Sequence, residues 1–373
     1  MKRRLLTLVF ILFTLLSTNA LAQDKLIFHT ESVDSLLVWM QKGCDKNNIV
    51  NLLLQPATQL MEQLLRYNER EDIPAFKKAL EEFNPKDSLS GNIYILNNAY
   101  QKQSEIANLV NEIKKTDFSE NVFSRAIKYF PDDYIPPRNY EVFYSAVGWH
   151  WGDAMMFEYI IEDGKYFVSY SKGTPAFIFN LTLVCILYGN DVAEQIGTME
   201  NVMSHELFHA IFSDYTNSNW LFWDNENINN YALFVMLNEG LGHYIADGEL
   251  LRTDYHKDDN LKQKEKQAFT SLSDSIKVIF NIENKKEIRK EALNSGTYGK
   301  YWTKYICIPS MFMLYHIEQY YGAEGIKECI KNGPVYFVKK YETLQQINAE
   351  LPKLPNEIIK FIGLMVKIND KNT

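Results

Sequence analysis

Apolar residues recur every three or four positions over residues 31–128, and this spacing predicts a series of amphipathic helices. The consecutive prolines Pro136 and Pro137 mark the end of that series. Over residues 138–188 the pattern changes to short segments rich in aromatic and β-branched residues, which predict strands. Helical spacing returns at Asn190 and continues to the C-terminus. The order of helices, a short sheet and further helices predicts an α+β fold that is mostly helical.

The predicted sheet is small and precedes the long C-terminal helical part of the chain. Its strands are expected in four apolar segments, at residues 140–147, 154–161, 166–170 and 177–187. The dipeptide Asp163-Gly164 separates two of these segments and is typical of a hairpin turn. A hairpin joins antiparallel neighbours, so we expect an antiparallel sheet.

The first residues of the chain have the pattern of a signal peptide rather than of a folded element. Three basic residues, Lys2, Arg3 and Arg4, precede an apolar stretch over residues 5–16, and an A-x-A cleavage pattern ends at Ala22. This predicts an exported protein, periplasmic or secreted, with an uncleaved anchor as the alternative. No later segment reaches the roughly 18 uncharged apolar residues of a spanning helix, so no membrane span is expected after cleavage.

These changes of pattern divide the chain into three predicted parts. Residues 1–22 form the signal peptide, and residues 23–137 form an N-terminal helical region. Residues 138–373 form a second region, in which the sheet over 138–188 is followed by helices over 190–373.

Composition and charge exclude some classes of function. The 47 acidic residues outnumber the 39 basic ones, for a formal net charge of −8. A diffuse acidic balance argues against nucleic acid or an anionic membrane surface as the main partner. The sequence also contains neither a G-x-x-x-x-G-K-[ST] phosphate loop nor a G-x-S-x-G nucleophile elbow. No motif therefore supports nucleotide binding or hydrolysis by a catalytic serine.

Cysteine use leaves the state of the thiols open. The chain has four cysteines, Cys44, Cys185, Cys307 and Cys329, and none has C-x-x-C spacing. A metal site made of cysteines is therefore not expected. An oxidising compartment permits disulfides, but the sequence does not choose between the three complete pairings and buried free thiols.

The strongest motif is H-E-x-x-H in the helical segment after the sheet. His205 and His209 are four residues apart, so both imidazoles project from one helix face and can share one metal ion. Glu206 lies about 100° further around the helix axis, where it can face a metal-bound water. Imidazoles and carboxylates suit a zinc site with an open position for water. The alternative is a pair of ordinary helix histidines beside a surface glutamate.

A second segment offers a third ligand. Glu239 lies in Asn238-Glu239-Gly240-Leu241-Gly242, thirty residues after His209 and within a second predicted helix. This combination resembles the gluzincin branch of zinc metallopeptidases, and it resembles more closely a bacterial family of exported zinc-dependent peptidases. The resemblance implies a zincin-like fold and one zinc ion held by His205, His209 and Glu239. It also implies Glu206 as the base that activates a zinc-bound water to hydrolyse peptide or protein substrates.

Other site residues are implied by the same resemblance. The donor that stabilises the oxyanion is expected at Tyr305 or Tyr301, which precede a helix predicted over residues 309–321. Thermolysin-like enzymes place an aspartate four residues after the ligand glutamate, where this sequence has His243, with Asp247 four residues further on. The outer-shell role is therefore open between His243, Asp247 and neither, and His243 could also replace Glu239 as ligand.

The last candidate site residue lies in the predicted sheet. The segment over residues 173–180, just before the motif helix, could be the edge strand that pairs with an extended substrate in zincins, and Asn180 is then a candidate substrate contact. The alternative is an ordinary buried strand. The leading function is a zinc metallopeptidase. The alternatives are an exported zinc protein with another hydrolase activity or a non-catalytic binding role, and a helical scaffold without metal.

Overall fold

The computed structural model describes residues 26–69, 75–87, 92–148, 152–169, 172–221 and 223–372. The predicted signal peptide over residues 1–22 lies outside the described residues. In this part of the chain, no helix is both long enough and apolar enough to cross a membrane.

The described elements follow the predicted order of helices, sheet and helices. The helices are α1 (Glu31–Gln41), α2 (Val50–Leu53), α3 (Pro56–Glu69), α4 (Phe76–Glu82), α5 (Leu96–Ile113), α6 (Phe118–Ile127), α7 (Leu181–Leu187), α8 (Val192–Asn219), α9 (Ile228–Asp254), α10 (Asp259–Phe280), α11 (Lys286–Ser295), α12 (Cys307–Asn332), α13 (Pro334–Ile347) and α14 (Asn356–Asn372). The strands are β1 (Leu26–His29), β2 (Tyr140–Ser145), β3 (Ala154–Glu162), β4 (Lys165–Ser169) and β5 (Thr174–Asn180). The fold is therefore α+β and mostly helical, as the sequence predicts.

The chain divides into two compact units. The first comprises Met1–Ser119 and Arg138–Leu187, and it contains the sheet together with the N-terminal helices. The second comprises Glu120–Pro137 and Tyr188–Thr373, and it contains the H-E-x-x-H helix α8 and all later helices. The domain boundaries predicted from the sequence stay a prediction.

The sheet of the first unit is mixed, so the expected antiparallel sheet is wrong in part. Its strand order is β1-β2-β5-β3-β4, and β1 and β5 both pair with β2 in parallel. β3 pairs in antiparallel fashion with β4 and β5. Parallel neighbours need long crossover connections, which the N-terminal helices provide between β1 and β2. Such pairing joins distant segments and leaves no local sequence signal.

Two local predictions in the sheet have different outcomes. The β3–β4 hairpin is confirmed, with Asp163 and Gly164 in the left-handed region at φ 49° and φ 75°. The strand predicted over 177–187 ends at Asn180, and Leu181–Leu187 is the helix α7. A short, continuously apolar segment does not distinguish a buried strand from a buried helix, which explains the error.

The core of the second unit is built around α9. Its residues Leu233, Met236, Leu237 and Leu241 are fully buried, so the helix is apolar on more than one face and is enclosed by its neighbours, which include α8 and α12. Side-chain caps fix where α8 and α9 begin. Asp191 accepts hydrogen bonds from the first backbone amides of α8, and Asn227 does the same for α9.

A buried network anchors the C-terminal half of α9. Glu318 of α12 accepts hydrogen bonds from Tyr129 and from two α9 residues, Tyr244 and Arg252. Burial acts to raise the pKa of Glu318, but the two tyrosine hydrogen bonds and the charges of Lys128 and Arg252 bring it below its ordinary value. The carboxylate is therefore ionised and fully partnered, which makes this contact between helices costly to break.

Candidate metal centre

The two motif histidines converge on the surface of α8. The Nε2 atoms of His205 and His209 lie 2.9 Å apart. Two zinc–nitrogen bonds of about 2.0–2.1 Å at a tetrahedral angle place the nitrogens about 3.3 Å apart, so the pair needs little adjustment to hold one ion. Met203, Leu207 and Phe208 are completely buried, and they fix this stretch of α8 in the core.

Helix α9 brings a carboxylate to the same place. Oε1 of Glu239 lies 3.7 Å from Nε2 of His209. His205, Glu239 and His243 each offer one ligand atom, and these three atoms lie within 4.8 Å of one another. The structure therefore brings together the three candidate ligands that the resemblance implies, His205, His209 and Glu239, and it places His243 beside them.

Gly242 allows the two helices to approach closely at the centre. A Cβ atom at this position would lie 3.0 Å from Cε1 and Nε2 of His205 and 3.0 Å from Cε1 of His209. Any side chain here would press on both imidazoles at once. The glycine is therefore required by the position of the ligand rings, not by its backbone angles.

Gly242→Ala is expected to weaken zinc binding by about 10-fold, within the range reported for changes in the surroundings of metal ligands. The added methyl group displaces the rings of His205 and His209 by a few tenths of an ångström. Competition with a chelator of known affinity measures the dissociation constant.

Gly197→Ala is the matched control, because Gly197 also lies in a helix, α8, and a Cβ atom there meets nothing within 4 Å. That change is expected to leave zinc affinity unaltered and to stabilise the helix by about 0.5–1 kcal/mol. Equal zinc affinity in Gly242→Ala and wild type would contradict the close approach.

A hydrogen bond orients the ring of His209. Its Nδ1 lies 3.0 Å from Oδ1 of Asn238, which can accept a hydrogen bond from the Nδ1–H group. This bond favours the tautomer in which Nε2 carries the lone pair, as a metal ligand requires. No motif in the sequence assigns a role to Asn238, although its place next to Glu239 puts it at the same helix contact.

Burial keeps the imidazoles in the form that binds metal. Burial lowers the pKa of His205 well below 6.5, and unfavourable electrostatic interactions with His209, His243 and Lys304 act in the same direction. Burial and unfavourable electrostatic interactions with Lys304 and His209 lower the pKa of His243 to about 3. Both rings are therefore neutral at pH 7. Lys304 is a second residue that the sequence analysis missed, because it reaches the site from the segment before α12.

Tyr301 and Tyr305 have different surroundings. The ring of Tyr301 packs edge-on against His243 at a centroid distance of 5.3 Å, and its hydroxyl donates to Oδ2 of Asp247 at 2.7 Å. The hydroxyl of Tyr305 instead donates to the backbone carbonyl of Ala292. Only Tyr301 is therefore in direct contact with the histidine cluster.

Asp247 is linked to the site through Tyr301. Burial raises the pKa of its carboxyl group, while the hydrogen bond from Tyr301 and the charge of Lys304 oppose that shift. The pKa of Tyr301 is well above 10, chiefly through burial and through the charge of Asp247. Tyr301 therefore keeps its proton at neutral pH and can donate it in a hydrogen bond.

The other predicted site residues lie in different places. Glu206 is half-buried on α8, next to His205. Asn180 ends β5 in the first unit, where it is 1% exposed, and its side-chain nitrogen and oxygen have no hydrogen-bond partner among the described residues. A substrate contact by Asn180 stays a prediction.

All four cysteines lie in the described part of the chain and are buried free thiols. Sγ of Cys307 is 3.9 Å from Oε2 of Glu239, and burial raises the pKa of this thiol. It is therefore a neutral neighbour of the carboxylate.

The donor set fits a zinc ion. Imidazole nitrogens and a carboxylate oxygen are preferred zinc ligands, and they meet here at the contact of two helices, where His243 is buried and His205 and Glu239 are half-buried. The buried Nε2 atom of His243 has no hydrogen-bond partner among the described residues, which leaves it available to an ion.

The chain matches the model of a family described as "Putative zinc dependent peptidase (DUF5700)" over residues 49–349. The matched segment includes every residue of the metal centre. No curated protein and no solved structure matches the chain.

Proposed function

The chain belongs to this family of putative zinc dependent peptidases, and on that premise we propose that it is an exported zinc metallopeptidase of the gluzincin type. The observation that carries the proposal is the convergence of His205, His209 and Glu239 beside Glu206. In this proposal the three residues hold one zinc ion per chain, and residues 1–22 direct export to the periplasm or the medium.

Each residue of the centre has a distinct task. His205 and His209 offer ring nitrogens, Asn238 holds the His209 tautomer, and Glu239 offers a carboxylate oxygen. A bound zinc ion would supply Lewis acidity and lower the pKa of a water ligand to about 7. The Glu206 carboxylate accepts a proton from the attacking water and passes it to the leaving amine.

A tyrosine hydroxyl completes the proposed machinery. The oxyanion that forms on the substrate carbonyl needs a hydrogen-bond donor beside the metal position. Tyr301 is the better candidate, because its ring contacts His243 and its hydroxyl keeps its proton. To reach the substrate, the hydroxyl must give up its bond to Asp247. Tyr305 is less suited, because its hydroxyl is bound to Ala292.

Removal of metal tests the proposal. Dialysis against a chelator is expected to reduce the hydrolysis of an unfolded protein substrate in proportion to the zinc removed. One equivalent of zinc per chain should restore it, because the ligands are held in place by α8 and α9. Zinc content by elemental analysis and circular dichroism are measured on the same samples. Full activity in a folded, zinc-free protein would overturn the proposal.

A further inference from the structure

Four potential donors, not three, face each other across the contact between α8 and α9. His205 and His209 are four residues apart on α8, and Glu239 and His243 are four residues apart on α9. The same spacing on each helix presents two side chains from one face. Gly242 lets the helices approach closely beside His205 and His209. One ligand atom each of His205, Glu239 and His243 lies within 4.8 Å of the others, and Nε2 of His209 is 2.9 Å from Nε2 of His205 and 3.7 Å from Oε1 of Glu239.

The surroundings of His243 are those of a ligand. The residue is 5% exposed, and its ring lies edge-on to that of His205 at a centroid distance of 4.8 Å. Its buried Nε2 atom has no hydrogen-bond partner in the described part of the chain. A buried polar atom without a partner is unfavourable, and a bond to a metal ion removes that penalty.

An orienting role for His243 is less well supported. A residue that orients a metal-bound histidine does so through a hydrogen bond to its second ring nitrogen, as Asn238 does for His209. Among the described residues, no hydrogen bond joins His243 to His205. The two rings instead pack edge to face.

We propose that His243 is a fourth protein ligand, so that the resting centre holds its ion with three imidazoles and one carboxylate. This inference rests on the proposed zinc site, but it does not depend on peptide hydrolysis. Four protein ligands are typical of closed zinc sites, and three with one open position are typical of catalytic ones. His243 therefore determines whether the resting centre has a coordination position free for water. Catalysis would require either a fifth coordination position or the departure of His243.

X-ray absorption at the zinc edge tests the ligand count on the full-length, zinc-loaded protein. The expected result is three imidazoles in wild type and two in His243→Gln. The dissociation constant for zinc is expected to rise by about 100-fold in this variant, at or above the upper limit for a residue that only orients a ligand. His256→Gln is the matched control, because His256 is an exposed histidine at the C-terminal end of α9 and should leave both values unchanged.

Two imidazoles in wild type would overturn the inference, whether or not the variant folds. A count that stays at three in a folded His243→Gln protein would overturn it as well. The imidazole count and the peptidase activity can be tested independently of each other. Three imidazoles in a protein without peptidase activity would retain His243 as a ligand and reject the peptidase, and two imidazoles in an active peptidase would do the reverse.

Discussion

Glu206→Gln is expected to lower kcat for peptide hydrolysis by about 10²–10⁴-fold, the usual contribution of a general base. Glutamine keeps the size of the side chain, but it cannot accept the proton of the attacking water. Zinc content should stay at the wild-type value, because Glu206 is assigned no place among the ligands. The measurement combines initial rates on a fluorogenic peptide with zinc analysis of both proteins.

Glu249→Gln is the control for this loss of charge. Glu249 is an exposed α9 residue whose carboxylate pairs with Arg252, so its replacement should leave the rate unchanged. Equal rates in wild type and Glu206→Gln would remove Glu206 from the mechanism. Loss of both activity and zinc would show instead that Glu206 helps to hold the metal.

His209→Ala is expected to remove most of the stabilisation of the protein by zinc. An ion that binds only the folded state adds about 4 kcal/mol to the free energy of unfolding at a free concentration of 1,000 times its dissociation constant. The side chain of His209 lies between His205 and Glu239, at 2.9 Å and 3.7 Å, so its loss removes the central donor. Thermal unfolding with and without zinc measures the effect.

His256→Ala provides the comparison for this experiment. Its melting temperature should rise with zinc as that of wild type does, because His256 contacts Tyr315 and none of the four donors. The melting temperature of His209→Ala should rise far less with zinc. An equal response in the two variants would place the zinc site elsewhere in the chain.

The closeness of His205 and His209 could be predicted from the sequence for a physical reason. Helix periodicity alone puts His205 and His209 on one face, because the spacing of four residues is local. Glu239 could be assigned as a candidate ligand only through the family resemblance, because thirty residues separate it from His209. Its distance from His209 depends on how α9 packs against α8. Gly242 allows the two helices to pack closely, but the sequence around Glu239 does not show that a glycine is needed there.

Residues that reach the centre from elsewhere could not be predicted by spacing. Lys304 and Tyr301 come from the segment before α12, and their positions depend on the packing of that helix against α9. The choice between Tyr301 and Tyr305 required their hydrogen-bond partners, Asp247 and Ala292.

In the fold, too, local features could be predicted from the sequence and long-range pairings could not. The turn at Asp163 and Gly164 has a local signature, and the hairpin was predicted from it. The strand β1 is only four residues long, and its parallel partner β2 begins at Tyr140, so no local pattern identifies the pair.

The central claim is that one zinc ion lies between α8 and α9, and a zinc-edge anomalous difference map from crystals of the full chain tests it most directly. The account predicts one strong peak per chain, at about 2.0–2.2 Å from Nε2 of His205, Nε2 of His209 and a carboxylate oxygen of Glu239. A zinc-loaded crystal in which the peak lies away from these residues, or in which no peak appears, would contradict it.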